Sequence, residues 1–207
     1  FAIAALSITT LMHATVRDTV NINRGWQFHL GPLSGVSDMR TAKTQTVNLP
    51  HDFLINQPWV EPDASERPDN SDAGSNVRSR LSPRGFKEMN TGWYRYELTP
   101  AAEWKGRRVM LDFQGIMLVG DVWVNGELVG GTDYGYLGFD IDITDRLRFD
   151  SPNEIVVKAD TREPNNSRWY TGGGLYRDVN IIVTDRKLYF PRHPLFIRTV
   201  DNNKVLI

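Results

Sequence analysis

From residue 20 onward, apolar residues recur every second position in short runs, with little sign of the three-to-four spacing of a helix. Val109, Leu111 and Phe113 alternate with Met110, Asp112 and Gln114, so a period of two places the first set on one face of a half-buried strand. Residues 121–129, Asp-Val-Trp-Val-Asn-Gly-Glu-Leu-Val, read as a hairpin, because Asn125-Gly126 suits the two positive φ angles of a type I′ turn. Residues 153–159 and 179–183 add two more strands, and turns rich in Gly, Pro and Asp lie between them. No helical stripe outlasts a turn or two. This pattern predicts an all-β protein, with a jelly-roll sandwich as the best fit.

Three stretches interrupt the pattern. Residues 1–14 read as the apolar part of a secretory signal, with Ala14 as a cleavage-site residue; the alternative is an ordinary first strand or helix. The run is too short and too interrupted to cross a membrane as a helix. No basic region or initiator Met precedes it, so the chain is expected to start partway through a longer polypeptide. Residues 60–91 begin almost without large apolar groups and turn basic at Arg78, Arg80, Arg84 and Lys87, which predicts a long functional or mobile loop. After residues 191–194, Pro-Arg-His-Pro, a further β-like run starts and stops without a cap. The expected division is an N-terminal extension (1–19), one sandwich domain (20–187) and the first strand of a second domain (188–207).

Composition narrows the function classes. At 207 residues the chain can bury one good core. Its 24 basic and 25 acidic residues leave a formal charge of −1, which supports neither nucleic-acid nor electrostatic membrane binding. The absence of cysteine excludes disulfides, thiolate metal sites and a thiol nucleophile. The histidines His13, His29, His51 and His193 show no metal spacing, and neither a metal nor a cofactor is expected. Gly172-Gly173-Gly174 lacks the Lys-Ser/Thr of a phosphate loop, and no serine sits in a nucleophile elbow.

The richest stretch is residues 166–179, Asn-Ser-Arg-Trp-Tyr-Thr-Gly-Gly-Gly-Leu-Tyr-Arg-Asp-Val. Its glycines let the backbone come close to another surface. Trp169 and Tyr170 offer flat faces with polar edges, and Arg168 and Arg177 offer planar donor forks. Taken alone, it is either a sugar-facing or domain-facing loop, or a turn whose aromatics enter a core. Three other motifs accompany it: residues 23–28, Asn-Arg-Gly-Trp-Gln-Phe; residues 47–53, Val-Asn-Leu-Pro-His-Asp-Phe; and residues 122–126, Val-Trp-Val-Asn-Gly, followed by Gly135-Tyr136 and residues 139–144.

Together, in this order, the four motifs resemble the N-terminal sugar-binding domain of family 2 glycoside hydrolases, the β-galactosidase, β-glucuronidase and β-mannosidase group. The likeness spans roughly residues 20–185, and Phe53 replaces the family's usual Trp. It is closest to the β-galactosidases. The resemblance implies a galactose-binding-like jelly roll, followed by an immunoglobulin-like sandwich and a (β/α)8 barrel in the same polypeptide. It also implies a retaining hydrolase of terminal β-glycosidic bonds, secreted or periplasmic. Its two catalytic glutamates, about 5–5.5 Å apart, would lie on the barrel, so no catalytic residue and no activity are expected in this stretch. The resemblance carries substrate contact onto Asp52, Asn166 and Arg168, with Trp169 and Tyr170 as wall or interface residues. The implied partners are a terminal β-linked sugar and the barrel, with no nucleic acid or membrane. A free-standing carbohydrate-binding module and a purely structural interface domain are the competing readings.

Several residues carry two readings. Asn153-Glu154 resembles the family's acid/base pair, yet it follows Ser151-Pro152 and opens a strand, so a structural role is expected. Asp140, Asp142 and Asp145 suit a cation or a solvated edge, and the edge is preferred. His51 is either a hydrogen-bonded turn residue or a substrate contact, and Arg168 either a sugar ligand or half of an interface ion pair. Trp123 is assigned to the core, and Tyr134, Tyr136 and Phe139 to packing of the hairpin loop.

Overall fold

The computed structural model describes residues 17–59, 87–162, 170–190 and 192, with the backbone alone at 198–201 and 204–206. The 1–14 segment and most of the 60–91 segment fall outside the described residues.

Two antiparallel sheets face each other. The larger holds β2 (Trp26–Leu30), β3 (Gln45–Val47), β4 (Thr91–Leu98), β6 (Val119–Val124), β7 (Glu127–Thr132) and β9 (Asn153–Asp160), in the order β3-β2-β4-β9-β6-β7. The smaller holds β1 (Asp18–Asn21), β5 (Arg108–Phe113), β8 (Phe139–Asp142) and β10 (Val179–Thr184), in the order β1-β10-β5-β8. Consecutive strands mostly lie apart, as in a jelly roll, and the described helical residues form only 3-10 turns. A separate hairpin, β11 (Arg198–Asp201) with β12 (Lys204–Leu206), follows. The C-terminal run thus contains a strand pair where a single strand is expected from the sequence.

Alternation decides what each sheet buries. Val109, Leu111 and Phe113 of β5 meet Ile155 and Val157 of β9 and Val122 and Val124 of β6 in one core, with Trp26, Phe28 and Tyr94 at one end. Each large side chain so buried contributes roughly 1.5–3 kcal/mol. Asn125 and Gly126 join β6 to β7 with φ of 53° and 86°, as the type I′ turn requires. Trp123 departs from expectation. It points to the outer face of the larger sheet, stacks on Trp93 with ring centroids 5.7 Å apart, and packs there with Met39, Val156, Leu33 and Val36. Odd and even positions of β6 face opposite ways, so a strand with Val122 and Val124 inside must turn Trp123 out.

The acidic and Asn-Glu motifs have structural roles. Asn153 is fully buried; its amide donates to Arg148 O at 2.8 Å and its Oδ1 accepts from Arg148 N and Asn125 Nδ2. Glu154 lies on the outer face between Arg40 and Arg95, whose guanidinium groups come within 2.8 and 2.7 Å. The Arg40 bond, helped by Arg95, outweighs burial and holds the Glu154 carboxyl below its usual range, the reverse of what an acid catalyst needs. Asp140, Asp142 and Asp145 are not simply solvated: Arg192, Arg108 and Arg186 respectively pair with them. Arg192 also pairs with Asp112, whose other oxygen accepts from Asn180. A polar chain therefore crosses the outer face of the smaller sheet.

Candidate functional site

One end of the sandwich is closed by the turn after β3. Leu49, Phe53 and Leu54 are buried, so the apolar residues of this turn seal the core and His51 and Asp52 are held between them. The glycine stretch runs beside it. His51 N–H donates to Leu175 O at 2.8 Å and Phe53 N–H to Gly173 O at 3.0 Å. On its other side, Met117 and Gly174 exchange both backbone bonds, at 2.9 and 2.8 Å. Residues 173–175 thus fill the gap between the 51–53 turn and the 115–118 segment like a short central strand.

Close approach explains the glycines. A Cβ on Gly173 would sit 2.8 Å from both Leu54 Cδ1 and Thr161 Cγ2. On Gly174, at φ +111°, it would meet the Tyr94 hydroxyl oxygen, with the His51 carbonyl at 2.9 Å. The surface that the glycines approach is therefore this domain's own turn and core.

Asp52 organises the rim. Its Oδ1 accepts from Leu54 N–H at 3.0 Å and Gly173 N–H at 2.8 Å, and its Oδ2 accepts the Tyr170 hydroxyl at 2.5 Å. Burial, then the bond to Asp52 and its charge, push the Tyr170 phenol well above its ordinary value, so the phenol remains a donor. One carboxylate ties the turn, the glycine loop and an exposed aromatic together. Tyr170 is 41% exposed, and its ring forms part of the outer wall.

Beneath the rim, His51 Nδ1 lies 2.9 Å from the hydroxyl of Tyr94, which is fully buried on β4. Burial pushes the Tyr94 phenol far above its usual range, against a backbone bond with Leu175 and with the Asp52 charge adding to the rise. Burial likewise lowers the His51 pKa, against the opposing charge of Asp52. A protonated phenol facing a neutral imidazole donates to it, so Nδ1 accepts and Nε2 carries the proton. His51 is thus a hydrogen-bonded turn residue. Tyr94 carries no motif in the sequence; the available signal is an inward Tyr on a core strand, whose hydroxyl needs a partner.

Exposed apolar side chains surround the loop: Ile55, Trp59, Tyr134, Tyr136 and Leu137. Tyr176 OH donates to Gly135 O at 2.8 Å, and Arg177 Nη1 donates to the carbonyls of Gln114 and Tyr136. Arg177 therefore braces the 134–137 loop. Phe139 stacks on Phe113 inside, whereas Tyr134 and Tyr136 pair at the surface. Lys87 sits over the Trp59 ring at 4.1 Å and donates to Ile55 O and Gln57 O, so residues 59 and 87 meet. Of the five predicted contact residues, the structure brings Asp52 and Tyr170 together; Asn166, Arg168 and Trp169 lie outside the described residues. Among the described residues no group of three or more His, Asp or Glu could hold a metal ion.

Thr161, which packs against Gly173, follows an acid-sensitive carboxylate. Burial pushes the Asp160 carboxyl up, but bonds from the Arg162 side chain and backbone, with the charges of Arg162 and Lys158, outweigh it and pull it from 3.8 to about 2. A depressed carboxylate stabilises the fold fully above its unfolded value and loses that contribution as pH falls through the folded one. Urea midpoints of the wild type are expected to fall between pH 4 and pH 2, and those of Asp160→Asn to fall less steeply.

The fold and this end of the sandwich define a galactose-binding-like β-sandwich. Residues 85–172 match the family model for the glycosyl hydrolase 2 galactose-binding domain-like family. The β-galactosidase BoGH2A of Bacteroides ovatus is 32% identical over 165 residues, covering 79% of this chain and 18% of that protein. A β-glucuronidase of Bacteroides fragilis is 26% identical over 185 residues, covering 87% and 22%. The crystal structure of a β-glycosidase from Bacteroides vulgatus superposes with a TM-score of 0.63 at 31% identity, covering 80% of this chain and 20% of that one. The chain belongs to glycoside hydrolase family 2 and carries its N-terminal galactose-binding-like domain. It spans about a fifth of the length of these relatives.

Proposed function

We propose that this domain serves a secreted or periplasmic β-galactosidase-like enzyme that hydrolyses terminal β-glycosidic bonds with retention, and that it lines the sugar site of that enzyme with the Asp52–Tyr170 edge. The two catalytic carboxylates of a retaining hydrolase then come from a barrel domain of the same polypeptide, and 188–207 opens the domain between. Asn166 and Arg168 are the further candidates for sugar contact, with Trp169 as a wall or interface residue. The observation that carries the reading is the exposed Tyr170 held by a carboxylate that also fixes the glycine loop. A wall so braced meets the sugar with little ordering cost. Relatives named as β-glucuronidases make a glucuronide the second substrate to try.

The test is steady-state kinetics of the full-length enzyme on nitrophenyl β-galactoside and β-glucuronide. Tyr170→Phe removes one charge-assisted hydrogen bond, so kcat/KM on the preferred sugar is expected to drop about ten-fold. A Tyr170→Phe enzyme with unchanged constants on both substrates would refute sugar contact at this edge and leave a structural interface role. Faster turnover of the glucuronide would reassign the sugar.

A further inference from the structure

The glycine loop is supported from the core as well as from the rim. Tyr94 stands on β4 with its ring packed against Trp26 and Phe28, so its hydroxyl position is set by the sandwich interior. That hydroxyl meets His51 Nδ1 at 2.9 Å and occupies the space that a Cβ on Gly174 would need. His51 in turn bonds Leu175 through its backbone, and its ring is wedged against Phe28 at 4.6 Å. The phenol, the imidazole and the glycine backbone are therefore mutually located, one residue away from Asp52.

We propose that Tyr94 and His51 are a positioning pair that sets the register of the glycine loop from the core, and that protonation of His51 releases it. The inference rests on the sugar-contact reading for its effect on substrate, but not for its effect on the loop. A neutral His51 accepts a hydrogen bond from the Tyr94 hydroxyl. A protonated one presents a second donor to a buried hydroxyl whose own proton then has no acceptor there, a costly arrangement. The titratable groups facing His51 are Asp52 from its own turn and Tyr94 from β4, while β2 contributes only the Phe28 ring. A group whose folded pKa is depressed supports the structure above its unfolded value and ceases to do so as pH falls. Burial lowers the His51 pKa, so the loop loosens only as pH falls below the usual imidazole range.

Two variants of the full-length enzyme test this, with amide hydrogen exchange at residues 173–175 as a readout that needs no substrate. Tyr94→Phe keeps the ring but strands His51 Nδ1; exchange at those amides is expected to rise about ten-fold and KM with it, while kcat changes less than KM. His51→Asn places a non-titrating oxygen near Nδ1, so the ratio of KM at pH 5 to KM at pH 7 is expected to be smaller than in the wild type. Exchange and KM at wild-type values in Tyr94→Phe, alongside a raised KM in Tyr170→Phe, would overturn the pairing and leave the sugar site standing. Raised exchange with KM unmoved in both variants would keep the pair and remove the sugar contact. An acid limb of equal steepness in His51→Asn and wild type would overturn the protonation step.

Discussion

Gly174→Ala is expected to destabilise the domain strongly. The residue sits at φ +111°, where a side chain costs roughly 1–3 kcal/mol in backbone strain alone. The added carbon would also collide with the Tyr94 hydroxyl, and the His51 carbonyl lies 2.9 Å away. Neither neighbour can yield cheaply, because Tyr94 is locked in the core and the His51 backbone is bonded to Leu175. A loss of about 3 kcal/mol or more follows, which at this chain length lowers Tm by on the order of 6–12 °C. Gly126→Ala is the control. It also has positive φ, but a Cβ there meets nothing within 4 Å, so only the strain remains and the shift should be about half as large or less. Thermal unfolding of the two variants side by side, followed by circular dichroism, decides it. Equal shifts would mean that the Tyr94 contact is not tight.

Removing the Asp52 carboxylate should cost nearly as much, with a chemical signature of its own. Asp52→Ala deprives the Leu54 and Gly173 amides of their acceptor and frees the Tyr170 hydroxyl. Leaving a partly buried donor without a partner costs about 1–3 kcal/mol, so two amides together imply about 3 kcal/mol. Asp52→Asn retains an oxygen that can accept from both amides and sacrifices mainly the Tyr170 bond. The Asn variant should therefore recover more than half of the stability lost in the Ala variant, as read from urea midpoints. If both unfold at the same midpoint, the backbone bonds to Oδ1 are not what holds the glycine loop.

These expectations divide along the line between local and long-range information. Strand alternation is a local property, so the inward set on β5, the strands over 153–159 and 179–183 and the Asn125-Gly126 turn were legible in the sequence. Phe139, assigned with Tyr134 and Tyr136 to the hairpin loop, instead stacks on Phe113 inside the sandwich. Trp123 was misassigned to the core because a large aromatic invites burial, yet its parity with Val122 and Val124 already demanded the other face. A stricter use of period two would have placed it outside. The acidic cluster 140–145 was harder. Its arginine partners, Arg108, Arg186 and Arg192, come from other strands and from the chain beyond β10. No spacing rule links residues so far apart.

The candidate site shows the same division more sharply. Three consecutive glycines after paired aromatics announce that something comes close, and the residue types around Asp52 announce polar recognition. Neither says what approaches what. Asp52 and Tyr170 are 118 positions apart, and Tyr94 and Gly174 are joined only through the packing of two sheets. Glycine is needed at 174 because a phenol from β4 already fills that space, and the phenol is there because β4 must turn Tyr94 inward to build the core. Chain chemistry was enough to specify strands and turns. Which atoms meet at its rim was settled by sheet order and register, since hydrogen bonds form between neighbours in space and sequence carries no distance between them.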